Sequence, residues 1–398
     1  MRPLKKMFHI DQDEYKKEYE KRYNDPNTIH LDISIKGNPA FFCQTIEMYQ
    51  QLLSIEKTDK KINKLCYNLP GVALDQFERN CLVDEIVLSN NIEGVNSTRK
   101  EIRNILNDIQ KKDKHRRFVG LVKKYIALMT HEKISIQNTK DIRRIYDDIF
   151  YEEIKATDPD NLPDGKTFRK NEVSVYSSSG EEIHHGIVPE SKIISTMSKA
   201  IEFLNDDSIN SLMRIAIFHY LFGYIHPFYD GNGRTSRFIS SYCLTQELNY
   251  LIGYRISYTI KEHISEYYKA FDICNSILNK GDLSPFVEMF LGIIEISEKQ
   301  LYQSLLEKKT AMDYYLNKIK DLPNSEDNNI AYLYELLIEA YLFSDVGIST
   351  KELQDCTRST YNTLMGRLKK IPVNLIIKNK PSQECYYKLN LEEIDKRC

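Results

Sequence analysis

Glycine and proline are scarce in this chain, 15 and 12 of 398 residues, so little interrupts the long stretches in which apolar residues recur at three-to-four spacing. A surplus of either charge is also missing. The 55 Lys and Arg against 57 Asp and Glu leave a net charge of -2, and no global field singles out nucleic acid or a membrane as the main partner. Long apolar runs are absent too: the stretches Ile215 to Ile225 and Phe286 to Ile296 fall well short of the roughly 20 residues that span a bilayer. Met1 to Tyr23 mixes Lys, Asp and Glu and has no secretory apolar core. The eight cysteines form no Cys-x-x-Cys pair, which argues against a zinc site or a disulfide framework. Buried thiols in a reducing, cytoplasmic setting are expected instead.

What is present reads as mainly α. The length suits two or three domains, and one segment departs from the helical pattern. After Asp164 to Asn171, Val173 and Val175 alternate, a Ser/Gly turn follows, and Ile183 to Val188 returns, which predicts a β-hairpin over 173–188. The texture changes again after Phe343. Ile348 to Leu353 and Ser359 to Lys370 predict two short helices, and Leu375 to Lys378 and Tyr386 to Leu389 two short strands, the order of a winged helix-turn-helix. The polar, Pro-containing stretch 322–329 has linker composition. The expected division is an N-terminal helical region 1–110, a core 111–322 and a winged-helix domain 328–398.

The segment with chemistry begins where a buried helix, Asn210 to Tyr224, must end at His226-Pro227, because the residue before proline disfavours helical geometry. Asp230-Gly-Asn-Gly-Arg234 then places two glycines around Asn232, and helical spacing resumes from Arg234 to Leu248. Glycines let successive N–H groups converge, and a helix N-terminus adds free donors, so the loop predicts an anion nest suited to phosphate. Arg234 and Arg237 lie three apart on the following turn and can reach one polyanion. Asp230 offers a hard oxygen ligand for a Mg²⁺ that keeps most of its waters, and His226 at the loop entrance can serve as a base. Together these predict phosphoryl or nucleotidyl transfer. The plain alternative is a capped helix, a tight turn and solvated arginines.

These residues resemble the signature of the Fic family, His-x-Phe-x-Asp/Glu-Gly-Asn-Gly-Arg-x-x-Arg, at every defined position, and the resemblance extends from about Leu82 to Phe290. It implies a helical core and transfer of AMP from ATP to Ser, Thr or Tyr hydroxyls of proteins, with Mg²⁺ or Mn²⁺. It further implies that His226 is the base and Asp230 the metal ligand. Asn232 with the amides of Gly231 and Gly233 would hold the α- and β-phosphates, Arg234 the β-phosphate and Arg237 the γ-phosphate, with Phe228 anchoring the loop. Gly233 argues against the branch that carries lysine there and phosphorylates with an inverted nucleotide. The hairpin 173–188, preceded by Phe168-Arg169, is similar to the family's flap, which clamps a target segment as an added strand. Tyr268 and Asn275 resemble adenosine-contacting residues.

Upstream, Leu82, Ile86, Ser89 and Glu93 form one stripe of a helix ending at Gly94. A carboxylate in line with a core-facing stripe needs a cation, and Arg237 is the candidate. Ser89-Asn-Asn-Ile-Glu-Gly94 resembles the family's inhibitory motif Ser/Thr-x-x-x-Glu-Gly/Asn, which implies that Glu93 occupies Arg237 and restrains the enzyme. Removal of AMP with Glu93 orienting a water, alone or beside transfer, is the alternative within enzymes. A nucleotide-sensing DNA-binding regulator is the alternative outside them.

Other features read more plainly. From Ser325 to Cys398 ten Lys and Arg face eleven Asp and Glu, so the C-terminal segment is not basic as most DNA readers are. Protein docking or homodimerisation is expected of it first, with DNA binding as the alternative. The basic cluster 111–117 reads as a solvated face, and His219 as a hydrogen-bonded core residue. Thr98 and Glu101 read as a capping box. His184 and His185 fall on opposite faces of a strand, which rules out a shared metal.

Overall fold

The structure is a computed structural model that describes residues 1–108, 117–176, 182–380 and 384–396. The basic cluster at 111–116 and the tip of the 173–188 hairpin lie outside the described residues. As the composition predicts, helices dominate. No helix among the described residues is long and apolar enough to cross a membrane. Cys43, Cys66, Cys81 and Cys274 are buried thiols, while Cys243, Cys356 and Cys385 are partly exposed.

Contacts divide the chain into two compact units, Met1–Thr58 with Asp84–Glu298, and Asp59–Val83 with Lys299–Cys398. This differs from a partition at 110 and 322. The helices Ile46–Tyr67, Gly71–Ile92 and Ser284–Lys318 are long, at 22, 22 and 35 residues, and each contributes one end to each unit.

In the first unit the Ser211–Ile225 helix buries twelve side chains around its whole circumference, as expected of a helix apolar on all sides. The Asn232–Glu247 helix packs beside it, with Phe238 fully buried against Tyr125. The N-terminal region is not wholly helical as expected. Strand β1, Thr28–Ile35, pairs antiparallel with β2, Asn38–Cys43. Leu31, Ile33 and Ile35 point inward and Asp32 and Ser34 outward, and Lys36 and Gly37, both at positive φ, make the two-residue turn that matches strand twist. The expected second hairpin is present as β3, Ser174–Tyr176, and β4, Glu182–His185.

In the second unit the Asn328–Phe343 helix is followed by β5, Ile348–Ser349, then the helices Thr350–Thr357 and Tyr361–Leu368, then β6, Ile376–Asn379, and β7, Tyr386–Leu389. The three strands form one antiparallel sheet in the order β5-β7-β6. The first residues of the expected helix at Ile348 are therefore a strand, and Ser349 with Glu352 forms a capping box that starts the helix. The 322–329 stretch is packed rather than free: Leu322 is buried, Pro323 accepts a hydrogen bond from Tyr334, and Asn324 donates to the Lys370 carbonyl.

Candidate active site

His226 caps the Ser211–Ile225 helix in the left-handed conformation, at φ 52°. Its side chain therefore leaves the helix axis where proline forces the turn. Phe228 then plugs the loop into the core, stacked on Tyr146 at 3.6 Å between ring centroids and fully buried. Gly231, at φ 76°, caps the Asn232–Glu247 helix, a backbone angle that favours glycine. Asn232 also shapes the loop itself. Its Oδ1 accepts from Phe228 N–H at 2.9 Å and its Nδ2 donates to the Phe228 carbonyl at 2.8 Å. Both polar atoms staple the loop closed, and Nδ2 keeps a second N–H.

The two arginines are almost wholly buried. Arg234 stacks over Phe150 at 4.5 Å and reaches Asp230 at 3.3 Å; its Nη1 lies 3.9 Å from Glu153 Oε1, and neither Nε nor Nη1 has a hydrogen-bond acceptor. A buried guanidinium with unused donors is costly unless a ligand completes it. Asp230 is half-exposed at the loop surface. No group of three or more metal-ligating side chains occurs among the described residues. A single accessible carboxylate beside a helix N-terminus fits Mg²⁺ that takes its other ligands from phosphate and water, although Asp230 Oδ1 here also accepts from Gly231 N–H at 2.5 Å.

Arg237 has a full set of partners. Its Nη1 pairs with Glu93 Oε1 at 2.8 Å, its Nε donates to Ser89 Oγ at 3.0 Å and its Nη2 to the Ser89 carbonyl at 2.9 Å. The Gly71–Ile92 helix ends one residue before Glu93, which lies in the turn closed by Val95 N–H on the Asn90 carbonyl and by Gly94 at φ 71°. A Cβ at Gly233 would collide with Glu93 Oε1. The Glu93 carboxylate therefore lies against the start of the loop helix and on Arg237.

The segment leading into the β3–β4 hairpin is tied to this loop by Arg169, which is fully buried. It donates to the carbonyls of His226 at 2.8 Å, Asn171 at 2.6 Å and Ile187 at 3.0 Å. On β4, His184 is buried and its Nε2–H donates to the Tyr224 carbonyl, 2.6 Å away, whereas His185 is exposed; the two histidines face apart as expected. Burial, with His184 and Arg169 nearby, pushes His226 down to about 4, against a smaller upward pull from Glu93. His226 is thus a neutral imidazole at pH 7. His219 is a core residue held between Ser240 Oγ and Tyr267 OH, both at 2.8 Å.

Tyr268 is half-exposed, and its hydroxyl reaches the Ile92 carbonyl at 3.5 Å, which brings it beside Glu93 and Arg237. Asn275 lies two turns along the same helix, and its Oδ1 accepts from Tyr220 OH at 2.8 Å. Thr98 caps the next helix by accepting from Glu101 N–H.

One residue here escaped the sequence reading. Glu85, two turns before Glu93, is fully buried and accepts from Tyr125 OH, Ser257 Oγ and Ser257 N–H. Burial pushes its carboxyl up to about 7, opposed by the Ser257 bonds and Arg237. A carboxyl raised in the folded state gives stability that is fully present below its ordinary value near 4.5 and is lost as pH rises through about 7. Glu85→Gln removes that titration. Between pH 5 and pH 8 the variant is expected to gain roughly 2.5 kcal/mol on the wild type, at 1.36 kcal/mol per unit, read by denaturant unfolding at both pH values. A pH-independent difference would contradict the assignment.

The fold and this loop define a mainly helical protein whose loop between two buried helices gathers a histidine, an aspartate and two buried arginines. Comparison with known proteins makes the class specific. Residues 136–244 match the Fic/DOC family, and the chain is a Fic-family protein. It is 30% identical over 280 residues to a protein adenylyltransferase Fic of Drosophila erecta, covering 68% of this chain and 49% of that protein. The Drosophila melanogaster counterpart is 29% identical over 258 residues, with 63% and 45% covered. The chain spans about half the length of the curated relatives it matches. Among solved structures, a Fic family protein from Desulfovibrio desulfuricans shares the fold, with a TM-score of 0.55 at 19% identity over 88% of this chain and 97% of that one.

Proposed function

We propose that this protein transfers AMP from ATP to a Ser, Thr or Tyr hydroxyl of a target protein, and that Glu93 restrains it by holding Arg237. The observation that carries the reading is the Glu93–Arg237 pair at 2.8 Å over Gly233, a carboxylate lodged in an anion site. With Glu93 withdrawn, Arg237 and the unused donors of Arg234 meet the β- and γ-phosphates, and the Gly231 and Gly233 amides meet the α- and β-phosphates. A Mg²⁺ held by Asp230 would offset charge on the phosphates and on departing pyrophosphate. His226 takes the proton of the acceptor hydroxyl as its oxygen bonds to the α-phosphorus and the bond to the β-phosphate oxygen breaks. The antiparallel β3–β4 hairpin supplies a sheet edge on which a target segment can add as a strand, while Tyr268 and Asn275 line the adenosine side.

Two label positions test the reaction type. Incubation with ATP labelled at the α-phosphate is expected to mark protein, and ATP labelled at the γ-phosphate is not. Label from the γ position alone would replace nucleotidyl with phosphoryl transfer.

The state of His226 sets the pH dependence. A base works only unprotonated, so activity is lost as pH falls through its pKa, here about 4 rather than the ordinary value of about 6.5. Transfer by the Glu93→Gly protein is expected to stay level from about pH 8 to about pH 6. A half-point near pH 6.5 would show an unperturbed imidazole instead.

A further inference from the structure

The C-terminal segment carries a charge segregation that its near-neutral total hides. Between Cys356 and Lys380 there are six basic residues, Arg358, Arg367, Lys369, Lys370, Lys378 and Lys380, and no acidic one. Of the ten Lys and Arg and eleven Asp and Glu in 325–398, the remainder of the segment therefore holds four basic and all eleven acidic residues. The acid-free stretch coincides with one structural feature: the turn after the Thr350–Thr357 helix, the whole Tyr361–Leu368 helix, and strand β6 of the terminal hairpin.

Within that feature the second helix is held from below. Leu353, Leu364 and Leu368 are buried, and Thr360 caps the helix by accepting from Thr363 N–H. Its outer face is polar: Tyr361 is 56% exposed, and Asn362, Gly366 and Lys369 are exposed at the spacing of one helix side. Lys378 and Lys380 are exposed at the β6 side of the terminal hairpin in the same unit. Among the cations Lys370 has an ion-pair partner, Asp327 at 3.3 Å. Gly366 adds an independent sign. A glycine inside a helix is unfavourable relative to other residues, yet a Cβ there would meet nothing within 4 Å. Nothing inside the protein requires it, whereas a surface that must approach the helix backbone closely would.

We infer that this helix and hairpin form a docking surface for duplex DNA, with the Tyr361–Leu368 helix entering the major groove and the hairpin cations on flanking phosphates. The chemistry fits both parts of such contacts. Tyr, Asn and Thr side chains offer hydrogen bonds to base edges, and Lys378, Lys380 and Lys369 neutralise the backbone. This surface is distinct from the nucleotide loop and its role does not depend on AMP transfer.

Fluorescence anisotropy of the full chain with a labelled duplex of about 30 base pairs, between about 50 and 250 mM KCl, tests it. The wild type is expected to bind with an affinity that falls linearly on a log–log salt plot. Replacing Lys369, Lys378 and Lys380 together by Ala is expected to flatten the slope by about 3 and weaken binding more than about 10-fold at 100 mM salt, since each phosphate contact contributes about 0.9 to the slope. AMP transfer should be unchanged. Gly366→Gln should raise the unfolding midpoint and still weaken duplex binding, a combination that a purely structural role for the helix does not give. Absence of binding at 50 mM salt, a triple variant that superposes on the wild type, or equal affinity for single-stranded DNA and duplex would each overturn the proposal. In that event the face is a protein-docking surface.

Discussion

Replacing Glu93 by glycine is expected to raise AMP incorporation into protein about 10- to 100-fold. The pair it breaks is asymmetric: Arg237 is buried, while Glu93 keeps about a third of its surface exposed. A charge-assisted contact of this kind contributes about 1.5–3 kcal/mol, and that is the range over which a γ-phosphate must compete for Arg237 while Glu93 remains. Glycine also matches the backbone, because position 93 lies in a turn outside the helix and the next residue already takes the left-handed conformation. The fold should persist, since the helix remains fixed by Glu85 on Ser257 and Tyr125. Retained thermal stability with higher incorporation separates release of a restraint from general loosening. Unchanged incorporation in a folded variant would remove Glu93 from the account.

The second large effect concerns His226. In the Glu93→Gly background, His226→Ala is expected to lower transfer by about 10²- to 10⁴-fold, the usual contribution of a positioned base, while ATP binding changes little. His226 caps a helix through its backbone N–H, and Arg169 holds its carbonyl, so the loop keeps its shape when the ring is removed. Isothermal titration with ATP beside an incorporation assay separates the two quantities. Loss of ATP affinity in parallel with activity would make His226 a binding residue instead.

The loop was legible because its residues cannot easily be there for other reasons. Glycines on both sides of Asn232, a proline after His226 and arginines three apart each impose a backbone or charge condition, and the structure meets them in one place. Glu93 was legible for a related reason: a carboxylate in line with Leu82 and Ile86 demands a cation. Glu85 was not, because its partners Tyr125 and Ser257 lie 40 and 172 residues away, and adjacent charged positions on a helix look alike until tertiary contacts sort them. Asn232 shows the limit of motif reading. The residue type was expected, but its bonds to both backbone groups of Phe228 appear only in the closed loop. Strand β1 carried a readable alternation at Leu31, Ile33 and Ile35, and it was overlooked beside the helical pattern of its neighbours. Domain boundaries were the least legible. Composition at 322–329 suggests a linker, but three long helices carry the chain between units and the stretch itself is packed.

The central claim is a nucleotide-transfer loop restrained by one glutamate, and a single incorporation experiment tests it most directly. Wild type, Glu93→Gly and the Glu93→Gly/His226→Ala double variant are each incubated with α-labelled ATP, Mg²⁺ and a cell lysate. The account predicts weak label on protein with the wild type, strong label with Glu93→Gly and none above background with the double variant. Equal label with all three, or none with Glu93→Gly, would contradict it.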